Sequence, residues 1–118
     1  MKSAAEKECY RLIQQIAVLN DPICTRFGCW KPSVVGHHIF PRSRMATAFD
    51  PRCVLGKCDC HHKIAHSSPA QDEIQNRKRF GDEEYEALER LSWTVVPDIN
   101  FEEIRDGLKK ILDKGKDI

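Results

Sequence analysis

The sequence predicts an α+β fold that is mostly helical, with a small two-stranded core between an N-terminal helix and C-terminal helices. Three observations lead to this prediction. Apolar residues recur with helical periodicity in 4–19, Pro, Gly, His and Cys are concentrated in 23–66, and amphipathic segments with capping residues fill 67–118. A chain of 118 residues has room for one domain, so we expect 1–118 to form a single domain.

The first helix is predicted over residues 4–19. Ser3 and Glu6 form a Ser-x-x-Glu capping box at its start, and Asn20-Asp21-Pro22 ends it. Its apolar face is expected to consist of Cys9, Leu12, Ile13, Ile16 and Leu19.

The middle of the chain is predicted to form two short strands, 34–39 and 53–55, joined by a long loop and followed by a helix over 59–65. Three further helices follow. Their starts are marked by Ser68-Pro69, by Asp82 and by Asn100 with Glu103 three residues later. The inward residues of the last two are expected to be Tyr85, Leu88 and Leu91, and then Phe101, Ile104, Leu108, Ile111 and Leu112.

Charge is balanced overall but not along the chain. Residues 24–80 carry ten basic and four acidic side chains, whereas residues 81–118 carry six basic and eleven acidic ones. A basic middle beside an acidic tail indicates a nucleic-acid contact surface, although charge alone favours a solvated face.

The charged N-terminus and the lack of long apolar runs predict a cytoplasmic protein without membrane contact. In that compartment six cysteines indicate metal rather than disulfides.

The histidines and cysteines form a cluster in the sequence. All five histidines and five of the six cysteines lie between Cys24 and His66. A four-coordinate zinc needs two short ligand pairs separated by a loop. Cys24 and Cys29 make the first pair. In the second pair Cys58 is joined by His61 or, as a tighter alternative, by Cys60.

Four further histidines are suited to hydrolysis. His62 and His66 are four residues apart, so both rings project from one face of a helix toward one cation. His37 and His38 are adjacent and point opposite ways if the backbone is extended. Three imidazoles can then hold a divalent ion while the fourth acts as a general base.

The stretch HHIFPRSRMATAFDPRCVLGKCDCHHKIAH, residues 37–66, together with the Cys24–Cys29 pair, resembles the HNH endonuclease superfamily and its ββα-metal motif. The colicin-type nucleases have two adjacent histidines, followed later in the chain by a His-x3-His helix. In this sequence the adjacent pair is His37-His38, called the His doublet below, and the helical pair is His62 and His66. The zinc-braced phage and bacterial members have a ligand pair directly before the metal-site histidine, and Cys58 and His61 stand at those positions. This register favours His61 over Cys60 as the fourth zinc ligand.

The resemblance implies a role for each site residue. His38 would be the general base, and His37, His62 and His66 would hold a catalytic divalent ion such as Mg²⁺, Mn²⁺, Ni²⁺ or Zn²⁺. Cys53 stands where the family usually has an Asn that braces the loop of the base. A thiol is a poor substitute, so Asp50 or the backbone is expected to take over this function.

The expected partner is DNA, double-stranded and read with little sequence preference. Arg42, Arg44 and Lys63 are placed to contact phosphates, and residues 77–79 could extend that contact. Two other interpretations stay open: a zinc-braced DNA-binding module, or an HNH member that is weak because of Cys53. A metal-storage or redox protein would explain the thiols but not the arginines. The sequence leaves open whether the chain is a monomer or a dimer.

Overall fold

The computed structural model describes residues 2–116, and within them the predicted α+β fold, mostly helical with one small sheet, is confirmed. The elements in chain order are α1 (Ala4–Asn20), β1 (Val35–His38), α2 (Met45–Ala48), a 3-10 helix (Pro51–Cys53), β2 (Val54–Lys57), α3 (Asp59–Ser67), α4 (Pro69–Phe80), α5 (Asp82–Ser92) and α6 (Phe101–Lys116). None of the helices in this described part of the chain has the length and apolar character needed to cross a bilayer.

Helix α1 is the centre of the first hydrophobic cluster. Its start is the predicted capping box, in which the Glu6 backbone N–H donates to Ser3 Oγ at 3.1 Å. Two predictions for the apolar faces are wrong at the edges. Leu19 of α1 is 44% exposed, although its side chain lies against Gly115 of α6, and Ile111 of α6 is 42% exposed. The cluster consists of Cys9, Leu12, Ile13, Ile16, Ala17, Val54, Leu108 and Leu112.

The sheet is one antiparallel pair in which Gly36 of β1 lies opposite Gly56 of β2. A Cβ atom at Gly36 would lie 2.8 Å from the Ala17 Cβ, and one at Gly56 would lie 2.5 Å from the Asp21 carbonyl oxygen. Two side-chain-free positions therefore let α1 and the chain that follows it come directly against the sheet. The strands are shifted from the predicted 34–39 and 53–55, but both histidines of the doublet lie in β1.

The connection between the strands is more ordered than the long loop predicted from the sequence. It contains α2 and the 3-10 helix, and the Asp50 side chain caps the latter by accepting from the Arg52 backbone N–H at 2.9 Å. Behind it lies a second hydrophobic cluster, which brings α5 against this connection and consists of Ile39, Phe40, Cys53, Leu55, Tyr85 and Leu88.

Helices α3, α4 and α6 begin close to their predicted positions. Cys58 occupies the N-cap of α3, and Asn100 caps α6 by accepting from the Glu103 backbone N–H at 3.0 Å. Helix α4 begins at Pro69 as predicted, but the Ser68 side chain makes no capping hydrogen bond. The backbone carbonyl of Ser68 instead accepts from the Asp72 N–H as the first bond of the helix.

Candidate metal centres

Four side chains meet in a cluster of the kind that holds a metal ion: Cys24, Cys29, Cys58 and His61. Their ligand atoms all lie within 4.8 Å of one another. The Cys29 and Cys58 sulfurs are 4.0 Å apart, and His61 Nδ1 lies 3.3 Å from Cys58 Sγ. A tetrahedral zinc site requires about 3.8 Å between sulfurs and about 3.5 Å between sulfur and nitrogen. The donor set and its spacing therefore fit zinc.

Local structure explains how these residues meet. Gly28 adopts φ of +85°, which turns the chain so that the Cys29 N–H bonds to the Arg26 carbonyl. Cys58 and His61 lie on the first turn of α3, where the His61 backbone N–H points at Cys58 Sγ. Cys60 is exposed and is not part of the cluster. The structure therefore brings His61, and not Cys60, to the three cysteines.

The surroundings of Cys58 favour its thiolate form, which is the form of cysteine that binds metal. Burial raises the pKa of the Cys58 thiol, but hydrogen bonds from the His61 backbone and the neighbouring thiols outweigh it, so its pKa is lowered. Lys57 lies beside the cluster and is only 2% exposed. Burial lowers the pKa of Lys57, and the nearby Asp72 carboxyl and Cys24 oppose that shift. A Cys3His zinc site carries a net negative charge, which a neighbouring ammonium offsets.

A second cluster joins β1 to α3 and contains His37, His62 and His66, again with ligand atoms within 4.8 Å of one another. His62 and His66 project from the same face of α3 with their Nε2 atoms 3.0 Å apart. Two imidazoles on one zinc-sized ion lie about 3.3 Å apart, so this spacing fits. The pKa of His62 is lowered by burial and then by the two neighbouring rings, because each disfavours a positive charge there. Neutral imidazoles are the form that binds metal.

His61 and His62 are adjacent yet belong to different clusters. Successive residues of a helix point about 100° apart, so one turn of α3 presents His61 to the cysteines and His62 to the other histidines. The two candidate metal centres therefore share a single helical turn.

His38 lies outside the second cluster, as the alternation of an extended strand predicts. Its Nε2 atom is 2.9 Å from the Ala48 carbonyl oxygen. A carbonyl can only accept, so Nε2 carries the proton and the lone pair of the neutral ring is on Nδ1. Burial lowers the pKa of His38 to about 4, against the opposing effect of the Ala48 hydrogen bond. The ring is therefore neutral, and its Nδ1 atom is only weakly basic.

The catalytic assignments of Asp50 and Cys53 from the sequence need correction. The side-chain hydrogen bonds of Asp50 within the described residues all go to Arg52, so this carboxylate orders the 3-10 helix and not the His doublet. The Cys53 thiol lies among apolar side chains, and burial raises its pKa to about 12. Of the two replacements expected for the missing Asn, the backbone provides the contact to His38, through the Ala48 carbonyl.

Three supporting side chains were not found from the sequence. The Gln14 amide donates to the Gly36 carbonyl at 2.8 Å and accepts from the Gly36 N–H, which fixes the strand directly before the doublet. On α4, Asp72 Oδ2 lies 2.9 Å from His37 Nε2, and Asn76 donates to the same oxygen. The Asp-x3-Asn spacing marks one helix face, but no local pattern links it to residue 37.

The histidines open into a cleft of about 710 Å³ whose wall includes Arg42 and Arg44. The Arg42 guanidinium lies over the Tyr10 ring at 4.3 Å, and that of Arg44 lies over the Trp93 ring at 3.5 Å. Arg44 also donates to Ser92 Oγ at 3.0 Å. Both predicted phosphate contacts are thus held in place at the cleft.

The other predicted phosphate contacts are placed differently. Lys63 is an exposed residue on α3 that pairs with Asp59 at 3.0 Å and does not line the cleft. Arg77 pairs with Glu73, Asp82 and Glu86, which neutralise its charge within the protein. Arg77 is therefore committed to partners within the protein, whereas the exposed pair of Lys63 with Asp59 is weak and lies away from the cleft.

No protein-family model, curated protein or solved structure matches this chain. The resemblance to the HNH nucleases therefore rests on sequence motif and spacing alone and stays a prediction.

Proposed function

We propose that this protein is a metal-dependent endonuclease of the HNH type, which hydrolyses phosphodiester bonds of DNA. One observation carries the proposal: three imidazoles converge for a cation while His38, the fourth, is held apart from them as a neutral base. A protein that only binds DNA has no use for this division of histidines. The Cys3His cluster would hold a structural zinc beside it.

The roles of the side chains follow from their contacts. His37, His62 and His66 would hold a divalent ion, which when bound neutralises charge on the scissile phosphate and stabilises the leaving oxygen. His38 would accept the proton of the attacking water on Nδ1. The Ala48 carbonyl keeps the ring in the required tautomer and stabilises the imidazolium that forms.

The arginines support a nucleic-acid substrate. Arg42 and Arg44 lie in the wall of the histidine cleft, and each is already ordered by an aromatic ring. A guanidinium that is held before the substrate arrives loses little side-chain entropy when it binds a phosphate. Contacts of this kind recognise the backbone rather than the bases, which is consistent with low sequence preference.

The proposal is tested by nicking of supercoiled plasmid by zinc-loaded protein, with Mg²⁺, Mn²⁺, Ni²⁺ and Zn²⁺ added one at a time. His38→Gln is the sharpest variant, because its amide can still donate to the Ala48 carbonyl but cannot serve as the base. We expect nicking by the wild type and a loss of about a hundred- to ten-thousand-fold in the variant, with zinc content and folding unchanged.

Equal nicking by wild type and His38→Gln would contradict the role of His38. A wild-type protein that binds DNA in a fluorescence anisotropy titration but cleaves it with none of the ions would be a zinc-braced DNA-binding module instead. Cys60→Ser is the matched control, since Cys60 is exposed and outside both clusters. This variant should nick DNA as the wild type does.

A further inference from the structure

Helix α4 provides a carboxylate to the histidine cluster that the sequence motif does not contain. Asp72 Oδ2 lies 2.9 Å from His37 Nε2, and the two side chains are only 11% and 6% exposed. Asn76, one turn further along α4 and 1% exposed, donates from Nδ2 to the same Asp72 oxygen at 3.2 Å. The three side chains form a buried chain from α4 to β1.

The direction of these hydrogen bonds determines the state of His37. An ionised carboxylate only accepts, so the proton between Asp72 and His37 belongs to Nε2, and the lone pair of the neutral ring is on Nδ1. His37 Nδ1 is buried and has no hydrogen-bond partner among the described residues. A buried acceptor without a partner is unfavourable unless it has another ligand.

Asp72 itself lies outside the common set of ligand atoms. The ligand atoms of His37, His62 and His66 are mutually within 4.8 Å, and Asp72 does not belong to that group. A carboxylate that contacts one metal-binding imidazole from behind orients the ring and raises its basicity. Its position therefore suits support of a ligand and not coordination.

We propose that Asp72 is a positioning residue that holds His37 in the tautomer with a free Nδ1, so that this atom binds the divalent ion. Asn76 keeps the Asp72 carboxylate in place. The inference rests on the proposed function only in taking the histidine cluster as an ion site. It assigns to α4, outside the motif of residues 37–66, an indirect part in metal binding, through His37.

The test is a Co²⁺ titration of protein whose Cys3His cluster is already filled with zinc, followed by the visible absorption of cobalt. Absence of thiolate-to-cobalt absorption in the near ultraviolet verifies that cobalt enters only the histidine cluster. We expect Asp72→Ala to weaken Co²⁺ binding about ten- to a hundred-fold, and Asp72→Asn, which retains an acceptor but not the charge, to lie between.

Glu73→Gln is the matched control. Glu73 is the next residue on α4 and lines the same cleft, and the substitution removes the same charge. Its partner Arg77 retains Asp82 and Glu86. This variant should bind Co²⁺ within about twofold of the wild type, because a screened, exposed carboxylate contributes little at this distance.

A second readout does not depend on metal. Nitrogen NMR shifts of the His37 ring in zinc-loaded protein without cobalt should report protonated Nε2 in the wild type and a mixture of tautomers in Asp72→Ala. Wild-type affinity in Asp72→Ala, or equal loss in Glu73→Gln, would overturn the inference while leaving the ion site intact. A wild-type protein that takes up no cobalt would overturn the ion site itself.

Discussion

Cys53 illustrates how the surroundings of a residue determine its role. Its side chain is 1% exposed and packs in the second hydrophobic cluster with Leu55, Tyr85 and Leu88. Only its backbone contributes to the doublet strand, because the Cys53 carbonyl accepts from the Ile39 N–H at 3.0 Å. The thiol therefore acts as a small apolar group, and an amide at this position would replace it among mainly apolar side chains.

We expect Cys53→Asn to lower the free energy of unfolding by about 1–3 kcal/mol, since the amide would be buried without hydrogen-bond partners. Cys53→Ala should cost less, about 1 kcal/mol, because it removes one buried sulfur without adding a polar group. Urea unfolding of zinc-loaded protein measures both values. A Cys53→Asn protein that is as stable as the wild type and nicks DNA faster would contradict this account.

Residues whose role depends on a local sequence pattern, such as helix caps and ligand pairs, were predicted correctly from the sequence. The Ser3 and Asn100 caps follow from the preference of short polar side chains for helix starts, and both are present. The meeting of Cys24 and Cys29 with Cys58 follows from ligand spacing. Asp50 was expected to brace the loop by accepting hydrogen bonds from its backbone; it does accept from the Arg52 N–H, and its side-chain hydrogen bonds within the described residues all go to Arg52.

Among the elements, α1 and the sheet depend on a close approach that only glycine allows. Gly36 faces Ala17, and its backbone N–H and carbonyl are both bound by the Gln14 amide. The Gln14 side chain on α1 thus forms the hydrogen bonds that a third strand would form at the outer edge of β1. The position of the His doublet is set by this contact as much as by β2.

Gly36→Ala should destabilise the protein by about 1–3 kcal/mol, because the new methyl group would meet the Ala17 Cβ at 2.8 Å and α1 would have to move. Gly107→Ala is the matched substitution within α6. A Cβ there has no atom within 4 Å, so the same change should stabilise by about 0.5–1 kcal/mol. Thermal unfolding of the two variants should show shifts of opposite sign; shifts of the same sign would refute the packing argument.

Helices were more predictable than the connection between the strands. The α1 and α6 patterns extend over four turns or more, and their apolar periodicity is clear. Residues 39–53 have no such period, and α2 is only one turn long. Its formation depends on contacts with α5, such as that between Arg44 and Ser92, which are distant in sequence.

At the scale of the whole molecule, the Cys3His cluster ties the chain between residues 24 and 29 to the start of α3. This small protein has two modest hydrophobic clusters, so a bound metal would contribute a large part of its stability. Because His61 and His62 share a helical turn, the order of the histidine cluster depends on that of the cysteine cluster.

Cys58→Ser should therefore lose zinc and, with it, both stable folding and Co²⁺ binding by the histidines. Cys60→Ser makes the same sulfur-to-oxygen change two residues further along the chain, at an exposed position. This variant should retain one zinc per chain. Elemental analysis of the purified proteins gives the zinc content, and far-ultraviolet circular dichroism follows the folding. Zinc retained in Cys58→Ser and lost in Cys60→Ser would reverse the ligand assignment.

The sequence predicted the members of both clusters but not what surrounds them. Ligand spacing is local, so it paired His62 with His66 and left Cys58 to pair with His61 or Cys60, a choice for which the family resemblance favoured His61. The contact of Asp72 with His37 arises from the way α4 folds back over β1, which no spacing records. Side chains that support a site come from any part of the chain that packs there.

Side chains outside residues 23–66 hold the residues of the cleft in place, so the motif cannot be transferred to another protein by itself. Gln14, Asp72 and the rings of Tyr10 and Trp93 all lie outside residues 23–66, yet they hold the doublet, the ligand histidine and the two arginines. Residues 23–66 transplanted into another scaffold would carry every ligand but leave these contacts behind. A transplant that keeps these contacts must therefore extend from α1 to Trp93 at the end of α5, and substitutions far from the motif can disturb the clusters and the cleft.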